Sequence, residues 1–187
     1  MSSLTNFHLP PLVPFFAGEP GQEHYRLLGF LASQYKNQDI FDIGTYLGYS
    51  ALALSCGEAS NTVLTFDIVK KEGLPVAKNI QYVMDNLMED SGKAIWAERL
   101  LKSPLIFLDI DPHIGELEYD FYLWLKSKNY QGIMLCDDIH HFENMRNNFW
   151  NKVAPEDKLD VTKFGHWSGT GLIYFNKDKV PEFLLEK

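Results

Sequence analysis

Residues 39–50 read Asp-Ile-Phe-Asp-Ile-Gly-Thr-Tyr-Leu-Gly-Tyr-Ser, and this stretch decides the fold. The run Asp39–Ile43 is short, mostly apolar and followed by Gly44, which predicts a buried strand. The run Ser50–Ser55 then predicts a helix that opens directly after the glycine-containing loop. A strand, a tight loop and a helix in this order form the first half of a βαβ unit, so the stretch predicts an α/β fold.

The remainder of the chain repeats this alternation of strands and helices. Apolar or β-branched runs predict strands at 62–66, 79–84, 105–108 and 133–136, and helical spacing predicts helices at 22–35, 91–102, 116–128 and 142–152. Two final strands, 159–164 and 171–175, flank the stretch 166–169 without a helix between them, which predicts a hairpin. We therefore predict a single α/β domain with a Rossmann-like, doubly wound sheet, mostly parallel, with an antiparallel C-terminal hairpin strand.

The first 21 residues differ in composition from the rest, since they are rich in proline and aromatic residues. We predict an extended arm over 1–21, which either packs on the body or covers a pocket, and one domain over 22–187. The start of the chain lacks a basic segment and is interrupted by prolines, unlike a signal peptide. No apolar run approaches membrane-spanning length, and Cys56 and Cys136 both fall in apolar stretches. We therefore expect a cytoplasmic protein with free thiols.

The overall charge argues against two classes of binding partner. Seventeen Lys and Arg residues face twenty-five Asp and Glu residues, which gives a net charge of -8 at pH 7. Nucleic-acid backbones and anionic membranes attract cationic surfaces, so we expect neither as the main partner. The length of 187 residues suits one domain and leaves no separate recognition domain. We expect a small molecule as the partner. The sequence does not decide whether the chain forms a homodimer.

Acidic residues stand at the ends of five successive predicted strands. They are Asp42, Asp67, Asp85, Asp109 and Asp137. Polar strand ends are common, but five acidic ones in succession call for a further reason. Doubly wound folds bind their ligands beyond the carboxyl ends of the strands. The pattern therefore predicts a ligand site at this edge of the sheet.

The loop after the first strand favours a cofactor without phosphate. Gly44 permits a tight turn, and Gly48 permits close approach of the backbone to a ligand or to the helix. Position 46 is Tyr where the dinucleotide fingerprint has glycine, and no Gly-Lys-Ser/Thr follows, so a P-loop is excluded. Asp67, at the next strand end, is placed to accept both hydroxyls of a ribose. Together these residues predict an adenosine-type cofactor that lacks phosphate.

The same residues carry a family resemblance. The stretch Asp42–Ser50 resembles the first motif of class I S-adenosylmethionine-dependent methyltransferases, and Thr65-Phe-Asp67 resembles their ribose-binding strand end. The segments 106–113 (IFLDIDPH) and 132–138 (GIMLCDD) resemble small-molecule O-methyltransferases of the catechol and sugar types. The resemblance covers residues 22–176. It implies transfer of a methyl group from S-adenosyl-L-methionine to a hydroxyl of a small molecule.

The resemblance also implies a set of site residues. The methionine part and neighbouring atoms of the cofactor are assigned to Asp42, Gly44, Thr45, Tyr46, Gly48, Ser50 and Asp109, the ribose to Asp67 and the adenine amino group to Asp85. A Mg²⁺ ion is assigned to Asp109, Asp137 and Asp138. Physical chemistry supports a cation there, because crowded carboxylates stay charged only when a cation neutralises them, and all-oxygen ligands suit Mg²⁺ or Ca²⁺. Such an ion would lower the pKa of the acceptor hydroxyl.

Asp109, Asp111 and His113 are the candidate catalytic residues, with Asp111 or His113 as general base. His140 and His141 fall in the neighbouring loop and are weaker candidates as base or ligand. Trp167 either lines the substrate pocket or closes the core beneath the hairpin. Residues 22–25 either line the pocket or have a structural packing role.

Other functions stay open. An N-methyltransferase of the same fold is disfavoured, because the segment 111–113 only partly matches the Asn/Asp-Pro-Pro-Tyr motif. A catalytically silent cofactor-binding or regulatory module is disfavoured by the intact set of Gly44, Gly48 and Asp67. A nicotinamide oxidoreductase is disfavoured by Tyr46. Catechol, sugar and polyketide hydroxyls all suit the sequence as acceptors.

Overall fold

A seven-stranded sheet forms the centre of the protein in a computed structural model, which describes residues 4–185. Its strands are β1 (Asp39–Ile43), β2 (Thr62–Asp67), β3 (Ile80–Met84), β4 (Leu105–Leu108), β5 (Ile133–Cys136), β6 (Lys158–Asp160) and β7 (Gly171–Tyr174). They lie in the order β3-β2-β1-β4-β5-β7-β6. The first five pair in parallel, whereas β7 pairs antiparallel with both β5 and β6. The predicted sheet, mostly parallel with an antiparallel C-terminal hairpin, is confirmed.

Helices cover both faces of this sheet, which makes it doubly wound. They are α1 (Tyr25–Ala32), α2 (Tyr49–Gly57), α3 (Asp90–Leu100), α4 (Glu116–Ser127) and a short α5 (Glu182–Leu185). Alternate strand residues point to opposite faces, so each strand supplies two cores. Phe107 and its neighbours on one face pack with α1 and α2, whereas Phe41 and Phe66 on the other face pack with α3 and α4.

Two helices differ from their predicted extents. The helix predicted over 22–35 is α1 alone, because the preceding residues turn toward the hairpin and Gly21 N donates to Gly165 O at 2.9 Å. The helix predicted over 142–152 contains a π-helical turn, Met145–Phe149, followed by a 3₁₀ turn, Trp150–Lys152. Helical spacing of apolar residues predicts a helical segment, but it does not separate these turns from an α-helix.

The strand predicted over 159–164 is wrong beyond Asp160. The Asp160 carboxylate accepts hydrogen bonds from Thr162 N at 3.0 Å and from Thr162 Oγ1 at 2.6 Å. These bonds turn the chain into a 3₁₀ turn, Thr162–Phe164, so the antiparallel pairing stops after three residues.

The described part of the N-terminal arm packs on the body. It forms two 3₁₀ turns, Leu4–Asn6 and Pro14–Ala17, instead of one extended segment. Leu9 and Phe16 are buried in the core beside α1 and α2. A side chain on Gly29 would come within 2.7 Å of Leu9, so the small residue in α1 makes room for the arm. No helix among the described residues is long and apolar enough to cross a membrane.

Candidate cofactor and acceptor site

Two cavities meet at the carboxyl ends of the parallel strands. The larger one, of about 410 Å³, lies beyond β1, β2, β3 and β4 and is called the main cleft below. It is lined by Gly44, Tyr46, Phe66, Asp67, Ile68, Asp85, Leu87, Met88, Asp109 and Asp111, among others. A side cavity of about 290 Å³ is lined by Phe15, His24, Tyr25, Gly44, Thr45, Tyr46, Leu47, Tyr49, Ser50 and Asp109. Gly44, Tyr46 and Asp109 therefore border both cavities.

The loop between β1 and α2 is held against the end of β2. Gly44 N and Thr45 N both donate to Phe66 O, at 2.9 and 3.0 Å, and Tyr46 N donates to the Asp67 carboxylate at 3.1 Å. Gly44 has a φ of 104°, in the region that favours glycine. Its missing side chain leaves room for the backbone of Asp109, whose carbonyl oxygen would lie 1.7 Å from a β-carbon there. The loop, β2 and β4 thus meet at one point of the cleft.

Gly48 lets the loop between β1 and α2 pack closely against other parts of the chain. It adopts a φ of 74°, and an added β-carbon would lie 2.9 Å from Pro75 Cδ and 3.1 Å from the Tyr82 hydroxyl. The sequence left open whether Gly48 makes room for a ligand or for the helix. In the structure the segment after β2 fills this space.

Asp42 lies beneath the loop and is fully buried. Its Oδ2 accepts a hydrogen bond from Thr65 Oγ1 at 2.5 Å, and Thr65 Oγ1 lies 2.7 Å from Thr45 Oγ1, so a chain of hydroxyls joins Asp42 to the loop. Its Oδ1 has no hydrogen-bond partner among residues 4–185. Burial raises the pKa of Asp42 to about 7, although the hydrogen bond from Thr65 opposes the rise.

Asp67 stands at the rim of the main cleft. Besides the bond from Tyr46 N, its Oδ1 accepts from Val69 N at 2.9 Å. Lys71 Nζ lies 3.7 Å from Oδ2, and the same amine lies 5.8 Å from the centre of the Tyr46 ring. The structure thus places the Asp67 carboxylate beside the glycine loop.

Asp85 lines the same cleft from the end of β3. Its Oδ1 accepts from Asn86 N and its Oδ2 accepts from Trp96 Nε1, both at 2.8 Å. Trp96 in turn packs edge-on against Phe66 at 5.0 Å. The carboxylate therefore has a fixed orientation before any ligand binds.

Asp109 lies with His113 and Asp138, and their ligand atoms are all within 4.8 Å of one another. His113 Nε2 lies 3.3 Å from Asp111 Oδ1 and 3.4 Å from Asp138 Oδ2, and its ring stacks on Phe142 at 4.4 Å. Burial raises the pKa of Asp109 to about 7, and the negative charges of nearby carboxylates add to the rise. Asp111 is 89% exposed, so Asp109 and His113 are the better enclosed candidates for proton transfer.

Asp137 belongs to a different group. Its Oδ2 lies 3.4 Å from His24 Nδ1 and 3.2 Å from His166 Nδ1. Burial by itself raises the pKa of Asp137, but the two imidazoles outweigh burial and hold it well below its usual range. The predicted Mg²⁺ set of Asp109, Asp137 and Asp138 is thus divided between two groups. The sequence predicts a hairpin connection at 166–169, but nothing in the residue spacing pairs His166 with His24.

The remaining sequence candidates lie at the surface. His140 Nε2 contacts Asp160 Oδ2 at 2.7 Å, and His141 packs edge-on against Trp167 at 5.1 Å. Trp167 is 62% exposed, so it does not close the core beneath the hairpin.

No protein-family model matches the sequence, and a sequence comparison with curated proteins finds no match. Solved structures do match the fold. Cofactor-bound Rv0187 from MTB is 17% identical with a TM-score of 0.58, over 93% of this chain and 87% of the other. The O-methyltransferase TomG from Streptomyces achromogenes, solved with SAM, is 16% identical with a TM-score of 0.50, over 81% and 79%. A proposed caffeoyl-CoA O-methyltransferase from Staphylococcus aureus is 14% identical with a TM-score of 0.54, over 80% and 82%. The chain therefore has the same fold as these solved structures, as the resemblance of its first motif implies.

Proposed function

We propose that this protein transfers a methyl group from S-adenosyl-L-methionine to a hydroxyl group of a small molecule. One arrangement carries the proposal: the β1–α2 loop and the Asp67 carboxylate border the same cleft and are joined by the bond from Tyr46 N. A ribose needs such a carboxylate, and the loop offers no phosphate cradle. The structural likeness to Rv0187 and TomG, both solved with cofactor bound, supports the same assignment.

The main cleft suits the adenosine half of the cofactor. A carboxylate has about four acceptor positions, so Asp67 keeps two for ribose hydroxyls after binding two backbone N–H groups. Ile68, Leu87 and Met88 supply apolar lining for a flat base. Asp85 lies at the far side, where it would accept from the adenine amino group.

The side cavity suits the methionine half. Ser50 and Thr45 line it, and Asp42 lies below with an Oδ1 that has no hydrogen-bond partner among residues 4–185. A carboxyl group with a pKa of about 7 gains its charge readily when a cation approaches, so the cofactor's ammonium group would favour ionised Asp42. Phe15 and Tyr49, whose ring centres are 5.8 Å apart, present aromatic faces that favour a positive sulfonium.

Asp109 borders both cavities and stands where the acceptor hydroxyl would meet the methyl group. The cofactor, when bound, would supply an electrophilic methyl group on sulfur, and S-adenosylhomocysteine would leave as the sulfur–carbon bond breaks. Asp109 would accept the hydroxyl proton as the acceptor oxygen forms its bond to carbon, since a pKa near 7 suits a general base at neutral pH. His113 is the second candidate for this proton. Much of the rate would come from positioning, as in other in-line displacements.

The residues assigned to Mg²⁺ from the sequence do not form one site for it. The three carboxylates assigned to it are divided between the Asp109 group and the Asp137 group, so the donor set is not assembled as one all-oxygen site. A role for Mg²⁺ stays a prediction from the sequence.

Two experiments test the proposal. Calorimetric titration with S-adenosylhomocysteine, with and without Mg²⁺, should show one binding site per chain. Incubation with methyl-labelled S-adenosylmethionine and a panel of catechol, sugar and polyketide hydroxyl compounds should then label an acceptor, and Asp109→Asn should lose that transfer while it still binds S-adenosylhomocysteine. Absence of binding under both conditions would refute the methyltransferase assignment.

A further inference from the structure

His24, Asp137 and His166 form a three-residue cluster at the carboxyl end of the sheet, called the His-Asp-His cluster below. His24 directly precedes α1, Asp137 directly follows β5, and His166 lies in the connection between β6 and β7. Each residue offers one ligand atom, and the three atoms lie within 4.8 Å of one another. Three segments that are distant in the sequence thus bring together two imidazole nitrogens and one carboxylate oxygen.

Two distances within the cluster match those between the ligands of a bound cation. Asp137 Oδ2 is 3.4 Å from His24 Nδ1 and 3.2 Å from His166 Nδ1. A tetrahedral ion with bonds of about 2.0–2.1 Å holds its ligand atoms about 3.4 Å apart. The cluster therefore needs little rearrangement to take such an ion.

His24 provides an independent sign of a ligand. The residue is only 5% exposed, and its Nδ1 lacks a hydrogen-bond partner within the described part of the chain. The nitrogen lies within ion-pair distance of Asp137 Oδ2, but the two atoms are not aligned as a hydrogen bond. Buried polar atoms in folded proteins nearly always have a partner. An ion between the three residues would satisfy this nitrogen.

The surroundings fit a metal site with an open position. Thr170 Oγ1 donates to the second oxygen of Asp137 at 3.4 Å, and the same hydroxyl accepts from His166 N at 2.7 Å. Such outer contacts orient metal ligands. His24 also lines the side cavity beside Asp109, so a fourth ligand could approach from there.

From this geometry we propose that the His-Asp-His cluster binds a divalent transition-metal ion of the Zn²⁺ type. Two imidazoles and one carboxylate suit Zn²⁺ and its first-row neighbours, whereas Mg²⁺ prefers oxygen ligands alone. Three protein ligands leave one position open, as in catalytic zinc sites. The inference goes beyond methyl transfer and does not depend on it, because binding of the metal alone tests it.

One contact within the cluster competes with an ion. Ser168 Oγ lies 2.6 Å from His166 Nδ1, so its hydroxyl can donate to the lone pair that an ion would need. A metal-free cluster, in which Asp137 simply pairs with two charged imidazoles, is therefore the alternative that the experiment must separate.

The test uses the full chain, freed of metal with a chelator and titrated with Zn²⁺ alone and with Mg²⁺ alone by calorimetry. We expect one Zn²⁺ per chain, no competition from Mg²⁺, and a visible absorption band with Co²⁺ that Zn²⁺ removes. His166→Ala should weaken Zn²⁺ binding at least about 100-fold, because even outer-shell changes weaken metal sites by 10- to 100-fold. His113→Ala, in the neighbouring Asp109 group, is the matched control and should keep the affinity.

Circular dichroism and thermal unfolding show whether each variant is folded. The side chain of His166 is 21% exposed, so we expect its replacement by alanine to leave the fold intact. Zn²⁺ should raise the melting temperature of the wild type and of His113→Ala, but not that of His166→Ala. Absence of stoichiometric Zn²⁺ binding by the wild type would overturn the proposal. So would loss of binding in His113→Ala with retention in His166→Ala, which would place the ion at Asp109. Titration with S-adenosylhomocysteine stays a separate readout, so failure here and failure of the proposed function are distinguishable.

Discussion

The carbonyl oxygen of Asp109 occupies the space that a side chain on Gly44 would need. An added β-carbon would lie 1.7 Å from that oxygen. The contact joins the end of β1 to the end of β4, where Asp109 N also donates to Ile43 O at 2.9 Å. Asp109, the candidate base, is thereby held directly beside the loop that would bind the cofactor.

Gly44→Ala should disrupt this junction. The new methyl group would meet backbone that cannot move aside without separating two central strands, and the positive φ adds strain. We expect a loss of about 2–5 kcal/mol in the free energy of unfolding, measured by urea denaturation. Gly73→Ala is the matched control, because Gly73 also has a positive φ of 69° but nothing within 4 Å of an added β-carbon. It should lose only about 1–2 kcal/mol. Equal losses in the two variants would contradict the close approach.

Asp67→Ala should weaken binding of S-adenosylhomocysteine. The variant loses the charged acceptor for the ribose hydroxyls, and a hydrogen bond to a charged group contributes about 1.5–3 kcal/mol. We expect affinity to fall roughly 10- to 150-fold in calorimetric titration. Asp67→Asn keeps an amide oxygen that can accept from a backbone N–H group such as that of Tyr46, so the loop stays anchored. The variant therefore tests ribose binding separately from loop anchoring. Unchanged affinity in Asp67→Ala would place the ribose elsewhere.

Asp137→Ala should separate cofactor binding from turnover. Asp137 lines neither the main cleft nor the side cavity, so affinity for S-adenosylhomocysteine should stay within about threefold of the wild type. Turnover with the acceptor found in the labelling panel should be lost, because His24, which lines the side cavity with Asp109, loses the anion that pairs with it. Stability should fall by about 3–5 kcal/mol, as expected when one member of a buried ion pair is removed. Full activity without added metal would exclude any metal-dependent role for this residue.

Local sequence patterns were sufficient for the five parallel strands of the sheet. Buried strands that end in an acidic residue were predicted at β2, β4 and β5 because apolar runs and strand ends are local features. The hairpin was predicted to be longer than it is, since the bonds from Thr162 to Asp160 depend on side-chain geometry that no periodicity reveals.

Single residues of the candidate site could be predicted from the sequence, but their grouping in space could not. Asp67 and Gly44 follow from a short motif, so their positions could be derived from spacing. The grouping of His24 with Asp137 and His166 depends on the order of strands in the sheet and on the turn before α1. Asp137 and Asp138 are adjacent in sequence, yet they belong to different groups, and Asp138 adopts a positive φ of 61°. Backbone conformation of this kind separates neighbours that a sequence motif treats as one set.

Asp42 should make stability depend on pH. Burial raises its pKa from 3.8 to about 7 in the folded protein, so between about pH 4 and 7 the folded state holds a proton that the unfolded state has lost. The free energy of unfolding should therefore fall as pH rises through this window, by up to about 4 kcal/mol, and level off above it. Asp42→Asn removes this titrating group and should make that part of the profile less steep, while Asp109 and Glu118, whose pKa values are also raised to about 7, still titrate there.

The pH profile is measured by urea denaturation at several pH values between 4 and 8. The buried amide of Asp42→Asn adds a cost of about 1–3 kcal/mol that does not change with pH, so the variant is compared with the wild type by slope. The free energy of unfolding of Asp42→Asn, minus that of the wild type, should rise as pH increases from 4 to 7. Asp120→Asn, at an exposed position of α4, should follow the wild-type profile. Parallel profiles for the wild type and Asp42→Asn would show that Asp42 is ionised throughout, which requires a cation or donor at Oδ1, the oxygen without a partner among residues 4–185.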